Sequence, residues 1–141
     1  MPGTSTSVTI EVPAKVIYDV VTDFESYPEF LPETREVEVI KKNAKSAQVE
    51  YTIKVIKTIR YTLDYQLTPH KKVVWKYVEG DFRDCFGSWT FKESKKGVTE
   101  ATYELDVEFG LFVPKKITEM LVGQNLPKLM QNFKKRAESL V

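Results

Sequence analysis

The fold is decided by residues 49–67, VEYTIKVIKTIRYTLDYQL, in which apolar and polar side chains alternate almost without interruption. The apolar positions of the first half are Val49, Tyr51, Ile53 and Val55. Those of the second half are Ile59, Tyr61, Leu63, Tyr65 and Leu67, opposed by Arg60, Thr62, Asp64 and Gln66. A period of two predicts strands, and the contrast between the two sets predicts one covered and one solvated face.

The same period extends from Thr34 to Phe109 and is broken at regular intervals by turn-forming residues. The breaks lie at Asn43-Ala44-Lys45, Lys57-Thr58, Pro69-His70-Lys71, Gly80-Asp81 and Lys95-Lys96-Gly97. Short connections between consecutive strands predict hairpins, and therefore an antiparallel meander of about six strands. The alternating run Val8–Val12 predicts one further strand before it.

Helices are predicted on both sides of this meander. Pro13 opens a first helix with the buried stripe Val16, Ile17, Val20, Val21 and Phe24. Pro28 and Pro32 leave room for only a very short second helix. After Gly110, one long helix is expected from Pro114 to the C-terminus, bent midway by Gly123 and Pro127.

A wide sheet covered by one long helix is expected to leave space between the two layers. The alternation turns a set of mostly aromatic residues toward that space: Tyr51, Tyr61, Tyr65, Trp75, Tyr77, Trp89, Phe91, Tyr103, Leu105, Val107 and Phe109. Tyrosine combines apolar area with a hydroxyl that needs a partner, whereas a filled core favours Leu, Ile and Val. Any single ring can serve either purpose, but the set together indicates a pocket.

The candidate ligand-binding residues combine this face with the loop after the first helix and one line of the last helix. They are Tyr27, Phe30, Tyr51, Ile53, Tyr61, Tyr65, Trp75, Trp89, Tyr103, Leu105, Leu121, Asn125 and Leu129. Asn125 interrupts the apolar line from Leu121 to Leu129, and a buried amide requires a partner. That partner is either the carbonyl freed by Pro127 or a polar group of the ligand.

No catalytic or metal-binding constellation is predicted, and no cofactor is expected. His70 lies in a lysine-flanked turn without a second ligand at metal-binding spacing. Cys85 is the only cysteine and is expected to be a buried, unreactive thiol. Asp23 is expected to pin the turn after the first helix. Arg35 and Arg83 are expected near the rim, where surface ion pairs are the alternative to contact with a polar head group.

Charge and composition limit the partners. Lys plus Arg total 21 against 20 for Asp plus Glu, and the lysines are scattered among acidic residues, which disfavours nucleic acid as a partner. The start of the chain lacks the basic and apolar regions of a signal peptide, and no run is long enough to span a bilayer. Residues 1–141 are therefore expected to form a single cytoplasmic domain, with transient membrane contact left open.

Three stretches resemble a known group of proteins. The first is Val21-Thr22-Asp23-Phe24-Glu25-Ser26-Tyr27-Pro28-Glu29-Phe30-Leu31-Pro32. The second joins Val78-Glu79-Gly80-Asp81-Phe82 to Gly87-Ser88-Trp89-Thr90-Phe91, and the third is Leu129-Met130 with Phe133. Together they resemble the START-like (SRPBCC) superfamily, in particular its coenzyme Q-binding, ribosome-association toxin and polyketide cyclase/dehydrase group.

The resemblance implies an α+β helix-grip fold: a curved antiparallel sheet of about seven strands around a long C-terminal helix, with two short helices after the first strand. It implies non-catalytic binding or transport of an isoprenoid quinone or other lipid between sheet and helix. A cyclase/dehydrase-like enzyme is one alternative, although the sequence offers no acid–base pair for it. A ribosome-associated protein is the other, and Asp81 and Asp84 disfavour it because a neutral or basic stretch is usual there.

Overall fold

A computed structural model describes residues 4–55, 57–110, 114–120 and 126–141. Seven strands are present in these ranges: β1 Thr4–Ile10, β2 Thr34–Lys42, β3 Ser46–Lys54, β4 Thr58–Thr68, β5 Lys72–Gly80, β6 Phe82–Lys95 and β7 Val98–Phe109. Each predicted break lies where one strand gives way to the next, although Thr58, Gly80 and Lys95 themselves belong to strands. The predicted antiparallel sheet is therefore confirmed, including the connection between β3 and β4, which contains neither glycine nor proline. The first strand is Thr4–Ile10, whereas Val8–Val12 was predicted.

All seven strands form one antiparallel sheet in the order β1-β7-β6-β5-β4-β3-β2. Strands β2 to β7 follow one another as a meander, and β1 pairs with β7, so that Thr4 lies opposite Leu105. In the register of β3 and β4, Tyr51 lies opposite Tyr61. Since partners in register point to the same face, this pairing gathers the aromatic side chains of neighbouring strands on the inner face of the curved sheet.

The sheet departs from strict alternation at its bulges. One lies between Thr62 and Leu63 in the pairing of β4 with β5, and another lies between Phe82 and Asp84 in the pairing of β6 with β7. The expectation that Thr62 is solvated is wrong, because only 4% of this residue is exposed. The register places Thr62 between the longer side chains of Glu50 and Glu79, which flank it on the outer face.

Two short helices follow β1, as predicted: α1 Ala14–Thr22 and the 3-10 helix Phe24–Glu29. Asp23 separates them, and its carboxylate accepts a hydrogen bond of 2.7 Å from the hydroxyl of Ser26. The predicted pinning role of Asp23 is therefore confirmed. The hydroxyl of Tyr27 donates to the carbonyl of Val21, which folds the 3-10 helix back onto α1.

The C-terminal helical region is described in two parts, α2 Lys115–Glu119 and α3 Leu126–Glu138. The expectation of one continuous helix from Pro114 spans residues 121–125, which lie outside the described residues. The predicted bend at Gly123 and Pro127 also involves that segment and stays a prediction. Pro127 lies in α3 as described.

Polar contacts anchor α3 against the start of the chain. The ammonium of Lys134 donates to the carbonyl of Thr9 at 2.7 Å, and the backbone N–H of Glu11 donates to the carboxylate of Glu138 at 3.0 Å. Arg136 forms an ion pair of 2.8 Å with Glu29 of the 3-10 helix. These contacts fix how far α3 stands from the sheet. No helix in the described ranges is long and apolar enough to cross a membrane.

Candidate functional site

A cavity of about 170 Å³ lies between the inner face of the sheet and α3. Its lining comes from the first helical region, from β2 to β7 and from α3: Val21, Tyr27, Leu31, Glu33, Thr34, Tyr51, Ile53, Tyr61, Leu63, Tyr65, Trp75, Phe82, Cys85, Trp89, Tyr103, Leu105, Val107, Phe109, Leu126, Leu129 and Phe133. This volume is similar to that of an engineered cavity of about 150 Å³ that binds benzene. The space therefore suits one six-membered ring with small substituents.

Phe133 of α3 closes the cavity on the helix side. Its ring centroid lies 5.4 Å from that of Tyr27 and 5.2 Å from that of Trp89. Phe30 packs on the same ring at 5.2 Å but does not line the cavity. Phe30 is therefore not among the described lining residues, and its ring also lies under the guanidinium of Arg136.

Five tyrosines line the cavity, and their hydroxyls fall into two groups. Those of Tyr51 and Tyr65 bond to each other at 2.6 Å, and that of Tyr27 donates to a backbone carbonyl. The hydroxyls of Tyr61 and Tyr103 have no hydrogen-bond partner among the described residues. Neither oxygen is sealed in the protein interior, since no buried side-chain oxygen in the described ranges lacks a partner. Tyr61 and Tyr103 thus line the cavity with hydroxyls that have no partner in the described part of the chain.

Burial keeps these phenols in their neutral form. Loss of hydration raises the pKa values of Tyr51, Tyr65 and Tyr103 well above the usual 10. The pKa of Tyr61 is raised for the same reason, with a further contribution from the neighbouring Cys85. Each hydroxyl therefore carries its proton at physiological pH and can donate it in a hydrogen bond.

The described lining contains very little charge. Glu33 is its only ionisable carboxylate, and no lysine, arginine or histidine contributes to it. Burial raises the pKa of the Cys85 thiol to about 12, so it is protonated and unreactive, as predicted. The cavity is apolar, aromatic and lined with hydrogen-bond donors.

Ten of the thirteen candidate residues surround this cavity: Tyr27, Tyr51, Ile53, Tyr61, Tyr65, Trp75, Trp89, Tyr103, Leu105 and Leu129. Leu121 and Asn125 lie outside the described residues, so the polar-handle hypothesis for Asn125 stays a prediction. Two residues expected on the inner face lie beside the cavity. Tyr77 donates its hydroxyl to the carbonyl of Phe82, and Phe91 packs on Tyr18.

The sequence-based selection missed several lining residues. Leu63 shares the alternating phase of Tyr61 and Tyr65, so the pattern alone was sufficient to select it. Phe82 and Cys85 both face the cavity although three positions separate them, because the bulge at Arg83 shifts the phase of β6. A bulge leaves no clear signal in an alternating sequence.

The polar residues considered as alternatives lie away from the cavity. Arg35 and Arg83 are both exposed, and neither contributes to the lining. His70 is exposed in the turn between β4 and β5, where its ring meets the edge of Tyr18 at 5.5 Å. Within the described ranges no cluster of His, Cys, Asp and Glu is arranged to hold a metal ion.

An antiparallel sheet gripping a C-terminal helix, with an apolar cavity between them, defines a protein of the START-like, helix-grip class. Residues 10–134 match the sequence profile described as "Polyketide cyclase / dehydrase and lipid transport", and the chain belongs to that family. The ribosome association toxin RatA of Escherichia coli K12 is 26% identical over 136 residues, which cover 94% of this chain and 82% of the toxin.

Solved structures show the same fold. The Zhui aromatase/cyclase from Streptomyces sp. R1128 is 19% identical, with a TM-score of 0.86 and coverage of 97% of this chain and 93% of the other. A START superfamily protein from Mycobacterium smegmatis is 21% identical, with a TM-score of 0.84 and coverage of 99% of both chains. At these identities the similarity establishes the architecture and leaves the activity to be argued from the site.

Proposed function

We propose that this protein binds a hydrophobic small molecule, an isoprenoid quinone or other lipid, between the sheet and α3 without catalysing a reaction on it. The observation that carries the proposal is the cavity of about 170 Å³, lined almost wholly by apolar and aromatic side chains. A ring-sized head group fits this volume. A longer tail would have to extend out of this space.

Binding is favoured over catalysis by what the described lining offers. A cyclase or dehydrase needs a base that removes a proton and an acid that returns it. The phenols and the thiol of the lining all have raised pKa values, and Glu33 stands alone as a carboxylate. The relatedness to a family that includes lipid transport in its description supports the same reading.

A fluorescence titration tests the proposal directly, because the only two tryptophans, Trp75 and Trp89, both line the cavity. A short-chain quinone is expected to quench them saturably at tens of micromolar, since about 25 cal/mol is gained per Å² of apolar area buried. Affinity should be the same at about 50 and 500 mM NaCl, because almost no charge is available for screening. No saturable quenching by quinones or neutral lipids would refute the proposal.

A charge placed in the lining provides the matched variant. Leu129→Asp puts a carboxylate beside the cavity, where an unpaired charge is costly to bury, and should abolish quenching. Leu140→Asp makes the same change at a residue that is 60% exposed beyond the end of α3 and should leave binding unchanged. Circular dichroism of both variants establishes that they fold before binding is compared.

Association with the ribosome is a second candidate, favoured by the relatives named as ribosome association toxins. The sequence alone counted Asp81 and Asp84 as evidence against a ribosome-associated protein. In the structure, both residues have local structural roles. The carboxylate of Asp81 accepts from the backbone N–H of Arg60, and that of Asp84 accepts from Cys85, each at 2.8 Å. Their presence is therefore explained without reference to any partner.

Co-sedimentation with ribosomes at low and high salt tests this candidate. If the protein binds ribosomes, the exposed lysines on α2 and α3 are the surface expected to contact RNA phosphates. The double variant Lys128→Glu/Lys135→Glu should therefore no longer co-sediment with ribosomes. The double variant Lys71→Glu/Lys72→Glu, at the exposed junction between the β4–β5 turn and β5, is the matched control. Sedimentation that is absent for the unaltered chain removes the candidate.

A further inference from the structure

Rigid neighbours hold the rings of Tyr61 and Tyr103, whose hydroxyls have no partner among the described residues. The ring of Tyr103 lies 5.4 Å from Trp75 and 5.0 Å from Trp89, measured between centroids. The ring of Tyr61 lies 5.3 Å from Tyr51 and 4.8 Å from Phe82. Packing on both rings limits their rotation, so each hydroxyl oxygen is held in a nearly fixed position.

The rings that carry these hydroxyls belong to one aromatic cluster in the cavity lining. The ring of Tyr61 packs on Tyr51 at 5.3 Å, and the rings of Tyr103 and Tyr65 both pack on Trp75, at 5.4 Å and 6.1 Å between centroids. In the pair formed by Tyr51 and Tyr65, one hydroxyl donates, so the accepting one keeps its own proton for a third group. The lining therefore holds three donors that no group in the described part of the chain uses.

Hydroxyl donors in a described lining that contains no cationic side chain favour a particular kind of ligand. A carboxylate or phosphate head would bring a negative charge into a described lining that contains no lysine, arginine or histidine and already includes Glu33. Such a charge is costly to bury without a cationic partner. A purely apolar ring would leave the hydroxyls without partners away from water, which is also unfavourable.

We infer that the buried end of the ligand is an uncharged ring-sized group bearing a carbonyl-type oxygen, which accepts hydrogen bonds from Tyr61 and Tyr103. This inference rests on the proposed function and narrows it. Among isoprenoid quinones and other lipids, it selects quinones and other neutral carbonyl compounds. It excludes fatty acid anions that would place the carboxylate at the buried end of the cavity.

Three probes of nearly equal shape separate these requirements: acetophenone is neutral with a carbonyl, isopropylbenzene lacks the acceptor, and benzoate is an anion. NMR titrations that follow the indole N–H signals of Trp75 and Trp89 give a dissociation constant for each. Tyr103→Phe and Tyr61→Phe remove one hydroxyl each and keep the ring. Tyr18→Phe is the matched control, because Tyr18 is buried outside the cavity against Phe91.

Each cavity variant should weaken acetophenone binding by about 2- to 10-fold, the contribution of one hydrogen bond. The affinity for isopropylbenzene should change by less than about 2-fold, since its binding depends on the apolar contacts that phenylalanine keeps. Tyr18→Phe should change neither the affinity for acetophenone nor that for isopropylbenzene. Benzoate should not bind to any of these proteins at neutral pH.

The outcomes separate this inference from the proposed function. Equal effects of the variants on acetophenone and isopropylbenzene would overturn the inference, as would benzoate binding as tightly as acetophenone, while the cavity would remain a binding site. If neither neutral probe binds the unaltered protein, both the inference and the proposed function fail.

Discussion

Filling the cavity with a larger side chain should stabilise the protein and abolish binding at the same time. Val107 is 6% exposed, lies opposite Cys85 in the register of β6 and β7, and lines the cavity. At ~24 cal/mol per Å³, complete filling of 170 Å³ would return about 4 kcal/mol. Val107→Phe fills only part of that space, so we expect about 1–2 kcal/mol of added stability.

Urea unfolding measures the stability change, and the m-value verifies that unfolding remains two-state. Affinity for acetophenone should fall by at least about 30-fold, because the new ring occupies the binding volume. Val78→Phe makes the same substitution on the outer face of β5, where the residue is 42% exposed, and should alter stability by less than about 0.5 kcal/mol.

Two results would refute this reasoning. Destabilisation by more than about 1 kcal/mol would indicate overpacking, and therefore that the space beside Val107 does not exist as described. Unchanged affinity in a stably folded variant would place the binding site elsewhere. Most substitutions that abolish binding also destabilise, so a simultaneous gain in stability distinguishes a filled cavity from a damaged one.

Three further predictions concern the walls of the cavity. Gly87→Ala should destabilise by about 1–3 kcal/mol in urea unfolding, because its Cβ would lie 2.2 Å from the backbone oxygen of Glu104; a loss below about 0.5 kcal/mol would contradict this close approach. Tyr51→Phe and Tyr65→Phe should show a coupling energy of about 1 kcal/mol in a double-mutant cycle, and additive effects would mean that their hydroxyls are not bonded. Burial raises the pKa values of the five cavity tyrosines above the usual 10, so their contribution to stability is complete below about pH 10 and is lost as the pH rises further, by up to about 1.4 kcal/mol per pH unit for each tyrosine. Absorbance at the phenolate band should therefore rise together with unfolding, and titration near pH 10 in the folded state would contradict the burial of these rings.

The fold was largely predictable because its main signal is local. Alternation over residues 49–67 fixes which side chains face inward, and the turn residues fix where each strand ends. Pro13 and Pro28 mark the two short helices in the same local way. The pairing of β1 with β7 joins residues far apart in sequence, and no periodicity within either segment specifies it.

The cavity was predictable only in outline. The inward phase of Tyr61, Trp75 and Tyr103 follows from the strand pattern, but which inward residues touch open space depends on the bulges and on the position of α3. Phe30 illustrates the second dependence, because its ring packs on Phe133 of α3 and does not contribute to the described lining. The pairing of phenolic hydroxyls, which decides the donors left for a ligand, arises only from three-dimensional packing.

The central claim, that the cavity holds a hydrophobic small molecule, is tested most directly by purifying the protein from its native host. Solvent extraction followed by mass spectrometry should then identify what was bound. We expect one predominant neutral compound that contains a carbonyl group, recovered close to one molecule per chain and absent from the Val107→Phe variant purified in the same way. Recovery of no apolar compound, or of the same compounds in equal amounts from both proteins, would contradict the claim.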